Sequence, residues 1–160
     1  MDNKILKLIE EWEFHLENSS GQMLTDIRNI LSDEKPRQGI AAFYFEYEFE
    51  YMDIIFRAED RDKRVIDMTV LPTRKGNKTF LPETIWTKEQ ELDADDYDKY
   101  DREKRGLFEK WFCNCWKIVM NEMECIPDAY FSIHDTNWLT DLKTGKRMSR
   151  AEISGMEVRK

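Results

Sequence analysis

The chain has 160 residues, a net charge of −8 and 41% hydrophobic residues, among them 5 Trp, 9 Phe and 6 Tyr. That supplies one core without disulfides or a structural metal, and only 6 Gly and 4 Pro argue against a disordered or low-complexity chain. With 33 acidic against 25 basic residues, nonspecific binding to nucleic acid or anionic lipid is disfavoured, because both repel the chain.

No apolar run reaches the roughly 20 residues of a membrane helix. The start, Met1 to Lys7, alternates charge with apolar residues and lacks a signal-peptide core, and the 3 cysteines form no framework. The expectation is one cytoplasmic domain spanning 1–160, of α+β class.

Ile5, Leu8, Ile9, Trp12 and Leu16 fall on one stripe at helical spacing, with Asp2 or Asn3 as N-cap. Ser19, Ser20 and Gly21 break the pattern, and Ser19 with Gln22 reads as a capping box for a second helix. That helix buries Met23, Leu24, Ile27, Ile30 and Leu31 and stops between Ser32 and Lys35, before Pro36.

The period then switches to two. Phe43, Phe45, Tyr47, Phe49 and Tyr51 form an aromatic core face, alternating with Tyr44, Glu46, Glu48 and Glu50 on a mostly acidic solvent face. Met52 to Ala58 continues as a second strand or a bulge, Glu59 to Lys63 turns, and Arg64 to Leu71 returns, as an antiparallel meander.

Pro72 to Lys78 is a basic loop. Phe80 to Trp86, interrupted by Pro82, reads as irregular or as an edge. Lys88 to Arg105 reads as a charged surface loop running into a helix. Leu107, Phe108, Trp111, Phe112, Cys115, Trp116, Val119 and Met123 then form the widest apolar stripe in the chain, ending before Pro127. Ala129 to His134 and Trp138 to Leu142 read as strands, Lys143 to Lys146 as a turn, and Arg150 to Met156 as a short helix capped by Ser149 and fraying at Lys160. The expected architecture is two N-terminal helices, an antiparallel sheet of about four to six strands, and a long amphipathic helix packed on one face.

Cys113, Cys115, Cys125 and His134 are four zinc-capable residues, but helix positions two apart point about 200° from each other. Cys113 and Cys115 therefore do not share an ion, and no metal site is expected. Ser132, His134 and Asp135 lie close in sequence without the Gly-flanked elbow of a nucleophile, so His134 reads as a hydrogen-bonded strand end. An acid–base role for His134 and Asp135 is the alternative site. The run from Asp93 to Asp98 fails as an EF-hand loop, since Asp98 and Lys104 occupy the places of its Gly and Glu. No phosphate or dinucleotide loop is present, and no cofactor is expected.

The remaining signal is distributed. Glu46, Glu48 and Glu50 on a sheet face, and Asp93, Asp95, Asp96, Tyr97, Asp98 and Tyr100 in one loop, combine carboxylates for steering with aromatics for contact area. That composition fits docking of a basic protein partner; a merely solvated surface is the simpler reading of any one residue.

In size, charge, the strand Phe43 to Tyr51 and the stretch from Tyr130 to Asp135 and Trp138 to Gly145, the chain resembles bacterial polymorphic-toxin immunity proteins. The resemblance implies a non-enzymatic inhibitor whose acidic patch covers the positive cleft of a nuclease-like toxin. Three functions therefore stand as expectations: an acidic protein-binding module of this kind, a small enzyme around His134 and Asp135, and a self-associating structural domain.

Overall fold

A computed structural model describes residues 2–32, 39–73, 79–124 and 126–159, with backbone alone at 157–159. Most of the stop expected between Ser32 and Lys35, the loop from residue 74 to Lys78, Cys125 and Lys160 lie outside the described residues.

The first helix, α1, runs unbroken over Asn3–Ser32, correcting the expected pair of helices. Leu16 and Met23 stand seven residues apart, two helical turns, so the buried stripe Ile5, Leu8, Trp12, Leu16, Met23, Ile27 and Leu31 stays in phase across Ser19 to Gly21. The serines do not cap. Ser19 Oγ donates to the His15 carbonyl (2.8 Å) and Ser20 Oγ to that of Leu16 (3.1 Å), so both bond back within the helix.

Strands β1 (Ile40–Tyr47), β2 (Ile54–Asp60) and β3 (Val65–Leu71) form the expected antiparallel meander. Helix α2 (Glu83–Glu89) replaces the expected irregular segment; Pro82 precedes it at the N-cap, where a missing N–H costs no helical bond. Helix α3 (Ala94–Met120) begins within the segment expected to be a loop, because the Asp93 side chain accepts from Asp96 N (2.9 Å) and caps it. Then follow β4 (Asp128–Ile133), β5 (Trp138–Asp141), β6 (Arg147–Ser149) and α4 (Arg150–Arg159). Ser149 and Glu152 bond reciprocally at the start of α4, as a capping box does.

The six strands make one mixed sheet in the order β3-β2-β1-β4-β5-β6, with β1 and β4 parallel. The sheet is therefore not purely antiparallel. The connection from the meander to β4 passes through two helices, and such a crossover returns a strand in the same direction.

One face carries Phe43, Phe45, Tyr47, Phe56, Ala129 and Phe131 into the core with the stripes of α1 and α3. Its rings interlock: Phe112 stacks on Phe131 with centroids 4.4 Å apart, and Phe45 lies 5.0 Å from Phe112. The opposite face carries Ala42, Tyr44, Tyr130 and Leu139, with Ile153 of α4 in the same cluster. So Tyr44 and Glu46 are not on a solvent face; α4 and its ion pairs turn that side into a second, smaller core.

Candidate functional site

Glu46 sits at the edge of this smaller core, and its side chain is 5% exposed. Burial alone would raise its pKa. The hydrogen bond from Arg150, the charge of Arg57 and the hydrogen bond from His134 outweigh that and hold it below the ordinary value of 4.5. Arg150 Nη2 donates to Glu46 Oε1 (2.8 Å), as does Arg57 Nη2 (3.1 Å), while His134 Nδ1 lies 3.2 Å from Oε2.

Each donor arrives from a different element: Arg57 from β2, His134 from the turn after β4, and Arg150 from the first residue of α4. A cation there opposes the helix dipole, and the bond to Glu46 offsets this. Arg150 Nε also donates to the Thr136 carbonyl (3.0 Å). Glu46, Arg57, His134, Asp135, Thr136, Asn137 and Arg150 line a shallow cavity of 330 Å³.

The two residues of the alternative site thus meet in one cleft, with His134 Nε2 3.4 Å from Asp135 Oδ1. Asp135 holds a left-handed turn position (φ 60°), which its short polar side chain tolerates. Chemically, the cleft is an ion-pair network. His134 has carboxylates at both ring nitrogens, and the neighbouring Ser132 hydroxyl, paired in register with Glu46, is buried with no hydrogen-bond partner among the described residues. Among the described residues, no group of three or more His, Cys, Asp or Glu side chains is placed to hold a metal ion.

The acidic docking residues are distributed differently from the expectation. Strand β1 ends at Tyr47, so the chain turns through Glu48 to Met52, and Phe49 and Tyr51 become exposed by 44% and 37% instead of entering the core. Glu48 is half-buried and Glu50 exposed in that turn. The Phe49 ring lies 5.7 Å from the Arg105 guanidinium of α3, and Arg105 pairs with Asp101 (2.9 Å). Asp93, Asp95, Asp96 and Asp98 occupy the cap and first turns of α3, where carboxylates also complement the helix dipole. Tyr97 is half-buried, its hydroxyl pKa raised by burial and by the charge of Asp101.

Tyr100 is fully buried, which removes it from any docking surface. Its hydroxyl donates to Glu89 (2.8 Å), and Lys104 Nζ donates to the same oxygen (2.9 Å) with both charged side chains at 1–2% exposure. This network joins α2 to α3, and Trp12 of α1 donates to the Lys104 carbonyl (3.1 Å).

Sequence reasoning missed Trp86. It is 37% exposed and lines, with Tyr51, Thr79, Leu81, Pro82, Glu83 and Thr84, an open groove of 540 Å³. It also missed Arg57 and Arg150. For Arg57 the signal is cross-strand, since it stands in register with Tyr44 and so shares a face with Glu46; Arg150 is brought there by the placement of α4 alone.

The fold and both sites define an α+β protein with a mixed six-stranded sheet. No protein-family model, no curated protein and no solved structure matches the chain. Among the described residues, no helix is long and apolar enough to cross a membrane.

Proposed function

We propose that this protein works by binding another protein with a basic surface, in the manner of an immunity-type inhibitor, and not by turning over a substrate. The observation that carries this reading is the groove lined by Tyr51, Trp86 and Glu83, with Glu50 and Glu48 close enough to act on the Tyr51 hydroxyl and Phe49 exposed in the same turn as Tyr51. Large aromatics exposed beside a groove supply contact area, and the carboxylates steer a basic partner. Asp95, Asp96 and Asp98 extend the negative field along the start of α3.

The test is recovery of the tagged protein from its native host, washed at low and high salt. The reading predicts a basic partner that is held at low salt and weakened when Glu48, Glu50 and Glu83 are changed to Gln. Capture that is indifferent to salt and to these substitutions refutes it.

The cleft around His134 favours a second reading, acid–base chemistry with His134 and Asp135. Glu46 would orient the imidazole through Nδ1, leaving Nε2 to exchange protons. A substrate turnover abolished by His134→Ala, with the fold retained, would establish that reading in place of the first.

A further inference from the structure

Strand β3 ends the sheet, and nothing in the described structure pairs with its outer edge. Val65, Ile66, Met68 and Val70 are exposed by 44–63%, and of the devices that ordinarily shield an edge β3 has one charge, Asp67, and the Pro72 that follows it. The opposite edge is protected by its brevity: β6 has 3 residues and runs directly into α4.

The Met68 N–H donates to the Asp67 carboxylate (2.8 Å) and not into the ladder with β2. Backbone groups alternate in direction along an antiparallel strand, so those of Met68 and Val70 point off the free edge. Charge decides which partner suits this edge. Residues 60–71 carry three acids (Asp60, Asp62, Asp67) and three bases (Arg61, Lys63, Arg64), a net of zero in a chain of −8. A basic partner gains no steering here, while a second copy meets a neutral segment, so the mutual repulsion of two chains of −8 is not concentrated at this edge.

We infer that β3 is the pairing edge of a homodimer, in which two copies join antiparallel into one continuous twelve-stranded sheet. A two-fold axis beside Thr69 sets Met68 opposite the second copy's Val70. Both outward residues then exchange N–H and C=O bonds, and each copy's Asp67 stands opposite Leu71, clear of the other Asp67. The partner's carbonyl takes over the Met68 N–H from Asp67. Strand pairing alone buries less than a standard stable interface, so the dimer forms in the micromolar range. This goes beyond the proposed partner surface and involves none of its residues.

Sedimentation velocity over a micromolar to submillimolar series tests the inference. The wild type shifts from 19.3 kDa toward twice that mass. Met68→Lys and Val70→Lys, both at exposed positions that leave the circular dichroism spectrum unchanged, each weaken association about tenfold or more. Asp67→Ala strengthens it by freeing the edge N–H. Met68→Pro, which deletes that N–H, abolishes it; should this variant fail to fold, the two lysine variants decide. A wild type that stays monomeric throughout the series overturns the inference, as does a dimer that survives both lysine substitutions.

Discussion

Glu46 shows how one carboxylate can be read correctly as charged and wrongly as exposed. Its alternation with Phe45 and Tyr47 placed it on the second sheet face, but only the fold brings Arg57 and Arg150 there. Because its native pKa is lowered, its stabilisation is complete above the ordinary value of 4.5 and is lost as pH falls through the lower native value. Acid titration followed by near-ultraviolet circular dichroism should therefore show α4 loosening below pH 4.5 in the wild type. Glu46→Gln should cost about 1–3 kcal/mol at neutral pH and flatten that acid limb.

The Glu89–Lys104 pair behaves differently, since both partners are almost fully buried. Lys104→Ala would remove the cation from the buried Glu89 carboxyl and leave it the Tyr100 hydroxyl among the described residues, at a cost of about 3–5 kcal/mol, whereas replacing both partners by apolar residues should recover much of the loss. Denaturant unfolding of the single and double variants measures this directly. Cys115 belongs to the same scale: burial pushes its thiol up to about 11, so it should resist thiol reagents at neutral pH until the protein unfolds.

At the scale of elements, strong periodicity was legible and boundaries were less so. The stripe of α3 was evident from Leu107 onward, but its first three turns looked like a loop because acids and tyrosines mask the pattern there. Those residues are helical because Asp93 caps them and because Tyr100, Asp101 and Lys104 face inward, two of them charged. The Ser19 to Gly21 segment shows the converse. Local break signals were present, yet the phase of the apolar stripe overrode them, since tertiary burial outweighs about 1 kcal/mol of glycine propensity. The aromatic alternation runs two residue pairs past the end of strand β1, through Phe49 and Tyr51, while the backbone turns. Phe45, fully buried among Phe56, Phe112 and Trp116, is the packing centre of the sheet. Phe45→Ala should cost about 3–5 kcal/mol, read as a shift in the denaturation midpoint with unchanged slope.

For the whole molecule, the α+β class followed from the change of period along the chain, but the parallel β1–β4 pair did not. Strand order depends on which strands meet after the crossover, and local pattern carries no such information. The same limit hid both surface sites. His134 and Glu46 are 88 residues apart and Tyr51 and Trp86 come from separate elements, so only the fold assembles either group. The two assemblies support opposed functions, an aromatic and acidic docking surface and a histidine cleft, and they approach each other at the end of β1, where the His134 N–H donates to the Tyr47 carbonyl (2.9 Å). Their side chains do not overlap, which allows each to be removed alone.

The most direct measurement is therefore partner retention by the wild type, Trp86→Ala and His134→Ala, compared side by side at low salt. Binding through the aromatic groove predicts that Trp86→Ala loses the partner while His134→Ala keeps it, with both variants folded. Retention by Trp86→Ala and loss by His134→Ala would contradict the account and move the functional centre to the Glu46 cleft.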